Sequence, residues 1–198
     1  MSTQEKRKQQ IQTVTVGAVL TALVVILQIL ANVTGALLPT PITLVLIPIV
    51  IGAALYGVKM STWLGFIFGV VVLLSGAANL FLSFSVIGTI VTVMVKCTAC
   101  GLLSGIAYSA VKRFNEKLSI WAAAVVCPLV NTGIFILGCY VFFLEDLAKY
   151  NTQNSLGFEN TTALIFIGFA GVNFLIELGT NIILNPAINL VIKNLKKK

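Results

Sequence analysis

Lys96 and Glu177 are the two ionisable side chains set deep inside long apolar runs of this 198-residue chain. A charge in a run long enough to cross a bilayer costs about 2.5–3.5 kcal/mol on insertion scales, so it must face protein or water, and by default it marks a functional site. Uncharged hydrogen-bonding residues stand near both at helical spacing. Thr92 precedes Lys96 by one turn, with Thr89 further out, and Asn173 precedes Glu177 by one turn. A third group, Asn131 and Thr132, follows Pro128. Lys96 would complement a carboxylate, while Asn131 and the threonines would complement hydroxyl and amide groups. With Asn173 they form a converging set that a small polar ligand could use. Two other readings stand beside this one. Lys96 and Glu177 could pair with each other and tie two helices together, and Asn131 could be interhelical glue, since such bonds average only about 0.6 kcal/mol. The same pair could also serve as the acid and base of a small membrane-embedded enzyme, although no nucleophile motif or carboxylate cluster accompanies it.

Other candidate chemistry is thin. The chain has no histidine, which removes imidazole metal sites and histidine-based catalysis. Cys97-Thr98-Ala99-Cys100 has the spacing of a redox or zinc pair, but it lacks a second pair and a flanking strand. Like Cys127 and Cys139 it lies in an apolar run and reads as small buried apolar surface. No metal or other cofactor is expected.

The elements that must position these residues follow from composition. Apolar residues make up 58% of the chain and charged residues 10%, against about 45–50% and 25% in soluble domains. Mean hydropathy is +1.03. A charged shell for a soluble core cannot be built from such a chain, so the expected fold is an all-α integral membrane protein forming one membrane domain over 1–198. A spanning helix needs about 20 apolar residues, and six runs qualify: 14–31, 42–56, 62–78, 84–111, 120–143 and 162–192. Residues 1–11 form a basic N-terminal segment, 12–192 the six-helix bundle and 193–198 a basic tail. Pro48 is expected to interrupt the second run and Pro186 to bend or break the sixth. Breaks are expected at 32–41, 57–61, 113–119 and 145–160, the last rich in the loop formers Asn151, Asn154, Gly157 and Asn160. The first run resembles a signal peptide in following basic residues, but it is too long and lacks a clear cleavage site.

Within this frame Lys96 lies twelve residues into its run, roughly 18 Å, and Glu177 fifteen residues, roughly 22 Å, at 1.5 Å per residue. Both are near mid-bilayer. Asn173, Glu177, Asn181, Asn185 and Asn189 continue at a spacing of four, and the inner part of that stripe reads as a packing or partner-facing strip. Small residues recur at the same spacing in Ala18 and Ala22, Gly65 and Gly69, and Gly101 and Gly105, which permits close helix approach. The glycine pairs are read as internal packing contacts.

Orientation follows from basic residues in short loops. Lys6, Arg7, Lys8, Lys59, Lys112, Arg113, Lys117, Lys193, Lys196, Lys197 and Lys198 fall on one side, and Lys149 alone on the other. The crowded side is expected to be cytosolic, with both termini there. The net charge of +7 is thus a topology signal facing anionic lipid, and a nucleic-acid partner is not expected. Trp63 and Trp121 occupy cytosolic helix ends, an interfacial anchoring position.

The chain resembles the substrate-binding components of energy-coupling factor (ECF) vitamin transporters over nearly its whole length. The likeness rests on Ala18-x-x-x-Ala22, on Pro41-Ile42-Thr43-Leu44-Val45-Leu46-Ile47-Pro48 and on Gly52-Ala53-Ala54-Leu55-Tyr56-Gly57. Leu64-Gly65-Phe66-Ile67-Phe68-Gly69 and Pro128-Leu129-Val130-Asn131-Thr132-Gly133 extend it. Val58 and Ser61 depart from a proline and a glycine common in relatives, in a cytosolic turn. The resemblance implies a subunit of the bacterial plasma membrane that captures a vitamin from outside under a lid formed by the first outer loop. It implies docking through Ala18 and Ala22 onto a transmembrane coupling subunit driven by two cytosolic ATPases, and toppling of the whole subunit to release its cargo. The chain has no Gly-x-x-x-x-Gly-Lys-Ser/Thr phosphate loop of its own. The absence of Trp from the outer helix halves disfavours an indole-stacking pocket of the kind suited to thiamine. Lys96, Asn131, Thr92, Asn173 and Thr132 as substrate contacts fit pantothenate, with pyridoxine-type and folate-type vitamins as alternatives. A stand-alone permease or channel is disfavoured by the lack of an internal repeat.

Overall fold

A computed structural model describes residues 3–37 and 44–196, and among these the chain is all-helical. Helix α1 is Thr3–Leu37, α2 Leu46–Tyr56, α3 Val58–Leu74, the short α4 Asn79–Phe84, α5 Val86–Lys112, α6 Glu116–Phe142, α7 Leu144–Gln153 and α8 Thr161–Ala163. The chain then passes through a π-helical segment, Leu164–Gly171, into α9 Val172–Ile183 and α10 Asn185–Lys196. Four helical stretches are long and apolar enough to cross a bilayer, namely Gln4–Thr34, Val86–Lys112, Glu116–Phe142 and Thr161–Ile183. Helices α2 and α3 are apolar but shorter. An all-helical multi-pass architecture thus matches the sequence expectation, and among the described residues four stretches have full spanning length.

Several boundaries move, each for a local reason. Asn32 was expected in the first break, yet α1 continues past it, because Asn32 Nδ2 donates to the Ser75 carbonyl and Thr34 Oγ1 to the Ala31 carbonyl. Of that break, Pro39 and Pro41 lie outside the described residues, as do Ile42 and Thr43 at the start of the second run. Pro48 does not interrupt α2. It sits in the first turn, where the missing N–H is not needed. The polar connection expected at 57–61 shrinks to Gly57 alone. Its φ of 75° is open to glycine at no steric cost, and Ser61 and Thr62 return their hydroxyls to the Val58 carbonyl, so neither requires a loop. The fourth run starts at Val86 behind Ser85, whose Oγ caps the helix by accepting from Gly88 N at 3.1 Å.

The 145–160 stretch, expected as loop, is helical as far as Gln153. Its Leu147 is fully buried against a cluster of Cys139, Phe143, Leu164 and Ile165, so a polar-looking sequence carries one apolar stripe. The sixth run breaks at Leu184, and Pro186 stands in the first turn of α10.

The bundle is drawn together by glycine. A Cβ on Gly65 would run into the Cys97 carbonyl oxygen, and one on Gly101 into that of Ser61. The Gly65–Gly69 and Gly101–Gly105 faces therefore meet at the α3–α5 crossing, backbone against backbone, as internal packing. All four cysteines are free and buried, and Cys100 Sγ donates to the Cys97 carbonyl at 3.1 Å. Gly133, by contrast, has nothing within 4 Å of a built Cβ. Gly101→Ala should therefore destabilise the detergent-solubilised protein by about 1–3 kcal/mol, because two fixed backbones must separate. Gly133→Ala should stay within about 1 kcal/mol of wild type. Thermal unfolding of the two variants checks the contrast.

Candidate functional site

A cavity of about 390 Å³ opens among α5, α6, the π-helical segment and the start of α9. It lies within the roughly 300–1,000 Å³ typical of small-molecule sites. Ala77 and Ala78 from the α3–α4 connection and Phe81 from α4 complete its wall. It occupies the half of the bundle that carries α4 and α7, away from the basic turn between α5 and α6.

Lys96, Thr92, Asn131, Thr132 and Asn173 all line this cavity, as does Thr89. Three helical stretches bring them together. Lys96 lies ten residues into α5, about 15 Å from its start, and its Nζ sits over the Phe135 ring, 5.5 Å from the centroid. Ammonium and ring attract by about 0.5–2 kcal/mol, which holds the charge at the cavity wall. Thr92 is buried, with Oγ1 lacking a hydrogen-bond partner. Thr89 Oγ1 is instead turned back onto the Ser85 carbonyl at 2.7 Å. Gly138 on α6 lets the Thr92 side chain in, since a Cβ there would occupy the space of that side chain.

Asn131 is 3% exposed and its Oδ1 also has no partner. Its Nδ2 donates to Glu177 Oε2 at 3.2 Å, and Asn173 Nδ2 donates to Glu177 Oε1 at 3.3 Å. Glu177, 2% exposed, does not line the cavity but lies behind these two amides. It ties α9 to α6. Deeper in, Asn181 Nδ2 donates to the Glu177 carbonyl and Asn189 Nδ2 to Asn185 Oδ1, so that part of the stripe serves largely its own helix.

Sequence reasoning missed the apolar half of the site. Phe81 is the hub, with ring centroids 5.4 Å from Phe135, 5.2 Å from Phe143 and 5.5 Å from Phe169. Tilted and edge-on contacts of this kind add about 0.5–1.5 kcal/mol each beyond area burial. Aromatic residues in an apolar chain give no periodic signal that separates pocket from lipid, so this wall could not be read in advance. The π-helical segment was missed too. Its residues Gly168, Phe169 and Ala170 line the cavity, and a Cβ on Gly171 would meet the Phe166 carbonyl oxygen. The two glycines just before Asn173 were the available clue, since π segments recur at functional sites.

Ala18 and Ala22 lie elsewhere. Both are exposed on α1, whose opposite face buries Leu20, Val24 and Ala31 in the bundle. The small-residue pair is therefore free of internal packing.

The family model for "ECF transporter, substrate-specific component" matches residues 12–189. The chain belongs to that family. No curated protein and no solved structure matches it significantly. Substrate-specific components are binding subunits for transport and not enzymes. ATP hydrolysis lies in partner subunits, and membership implies association with an ECF energy-coupling module of transmembrane and ATPase subunits. The apolar helices agree in making this substrate-specific component a multi-pass membrane protein.

Proposed function

We propose that this substrate-specific component captures an anionic, hydroxylated vitamin, pantothenate, in the cavity between α5, α6 and α9. The observation that carries the reading is the two-sided wall. Lys96, Thr92 and Asn131, the last two each with a buried polar atom lacking a partner, line the same space as four phenyl rings. Pantothenate has a carboxylate for the amine, hydroxyl and amide groups for the oxygens, and a dimethyl-substituted carbon for the rings. Thr132 and Asn173 add further polar contacts. The phenyl rings also favour a second reading, a pyridoxine-type vitamin stacked on them. Such a ligand lacks a carboxylate and would leave Lys96 unmatched.

The rest of the proposal concerns placement. The short apolar helices α2 and α3 join the four long stretches as membrane spans, giving six with both termini cytosolic. The Lys/Arg asymmetry supports this orientation, and it opens the cavity half to the outside of a bacterial plasma membrane. The exposed Ala18–Ala22 face of α1 is the docking surface for the transmembrane coupling subunit, which two cytosolic ATPases drive.

Two experiments test the proposal. Lys96→Met keeps the length of the side chain and removes its charge. If Lys96 meets the ligand carboxylate, affinity for pantothenate should fall by the 2–5 kcal/mol typical of a truncated pair, roughly 30- to 5,000-fold. The corresponding alcohol should lose far less. Titration calorimetry on both ligands measures the difference, and an undiminished preference for the acid would contradict the anchor. Ala22→Trp should abolish uptake by cells while leaving pantothenate affinity of the isolated subunit within about threefold, less than one decade at 1.4 kcal/mol. Equal loss of both would place this face inside the subunit's own packing.

A further inference from the structure

We propose that Glu177 is a positioning residue that fixes which end of the Asn131 amide faces the cavity, so that the site demands a hydrogen-bond donor from its ligand; this rests on the substrate-binding reading above. A side-chain amide presents two ends of nearly equal shape and opposite character, an acceptor oxygen and a donor nitrogen. Which end faces a ligand depends on what holds the other. Here the holder is the Glu177 side chain, both of whose oxygens accept. Glu177 takes Asn131 Nδ2 on Oε2 and Asn173 Nδ2 on Oε1. Asn131 must therefore turn its oxygen the other way. That oxygen is buried, has no partner, and belongs to a residue on the cavity wall.

Of the neighbouring hydroxyls, Thr92 Oγ1 can accept or donate, while Thr89, its proton spent on the Ser85 carbonyl, has only lone pairs left and favours a donor as well. Asn131 is the acceptor whose orientation Glu177 controls. A ligand with an N–H or O–H at that point gains a bond in a low-dielectric site, whereas one with a lone pair there meets an acceptor with an acceptor. The class selected is an anion, matched to Lys96, with a donor a few atoms from its charge. An amide N–H next to a short carboxylate arm is such a donor. Glu177 as simple glue between α6 and α9 would show the same two bonds but would leave ligand preference alone.

Glu177→Gln separates the two roles. The new side chain has one acceptor for two donors, so its nitrogen confronts Asn131 or Asn173; where it confronts Asn131, that amide rotates and presents nitrogen to the cavity. Pantothenate affinity should then drop by up to roughly 150-fold, the upper end for an unmet buried polar group. In an Asn131→Ala background the same substitution should cause no further loss. Independent, additive losses would overturn the assignment. A second measurement does not depend on how well that variant folds. A pantothenate analogue methylated at the amide nitrogen should bind wild type 5- to 150-fold more weakly than pantothenate, and Asn131→Ala with little discrimination. Wild-type indifference to the lost N–H would overturn the proposal. Wild-type protein that binds no pantothenate would bring down the substrate reading first, and this inference with it.

Discussion

Every polar group placed in hydrocarbon must find its partner inside the protein, and this structure depends on that constraint more than on any single contact. It explains why the described chain is helical throughout, since helices satisfy their own backbone. It also explains where hydroxyls go. Thr21, Ser61, Thr62, Thr89, Ser109 and Thr180 all return a proton to a carbonyl three or four residues back. Some buried atoms stay outside that economy, among them Gln28 Oε1, Tyr108 OH and Asn181 Oδ1. Thr92 Oγ1 and Asn131 Oδ1 differ from these in belonging to residues on one cavity wall.

The same constraint shapes the packing. Lipid offers no hydrophobic drive for one apolar helix to join another, so association rests on close van der Waals contact and on interhelical bonds. Glycines 65 and 101 allow α3 and α5 to approach at backbone distance, and Gly138 admits Thr92 against α6. The Asn131–Glu177–Asn173 bonds then link α6 to α9 at the depth of the cavity. Tight glycine crossings on one side and a polar clamp on the other leave a space between α5 and α9 that rigid neighbours keep open. Helix α1 takes part with one face only, and its Ala18–Ala22 face remains outside.

Much of this was legible in the sequence because the bilayer imposes simple arithmetic. Apolar run lengths located the helices, and counting residues from run ends placed Lys96, Asn131, Thr92, Thr132 and Asn173 at similar depths, where the structure brings them onto one wall. Four-residue glycine spacing marked the internal packing faces of α3 and α5, though not that the two meet each other. What stayed hidden has physical causes too. The amphipathic α7 looked like loop because one buried leucine, Leu147, holds it down among polar neighbours. The π-helical segment escaped because its bond pattern changes without any change in hydropathy. The Phe81, Phe135, Phe143 and Phe169 wall escaped because apolar residues facing a cavity and apolar residues facing lipid have the same composition. Pro48 misled because a proline starts a helix as readily as it breaks one, and the start of α2 was not visible from its neighbours.

The central claim is that the cavity beside Lys96 and Asn131 takes the vitamin from outside the cell. Substrate protection of a thiol on its wall tests this most directly. The four native cysteines are buried, so Thr132→Cys supplies an accessible thiol against a low background. A membrane-impermeant thiol reagent added to sealed cells should modify Thr132→Cys, and pantothenate should slow the reaction in a saturable way, while the alcohol analogue protects less. A thiol at this position that reacts equally fast with and without pantothenate, or that reacts only in inverted membranes, would contradict the account.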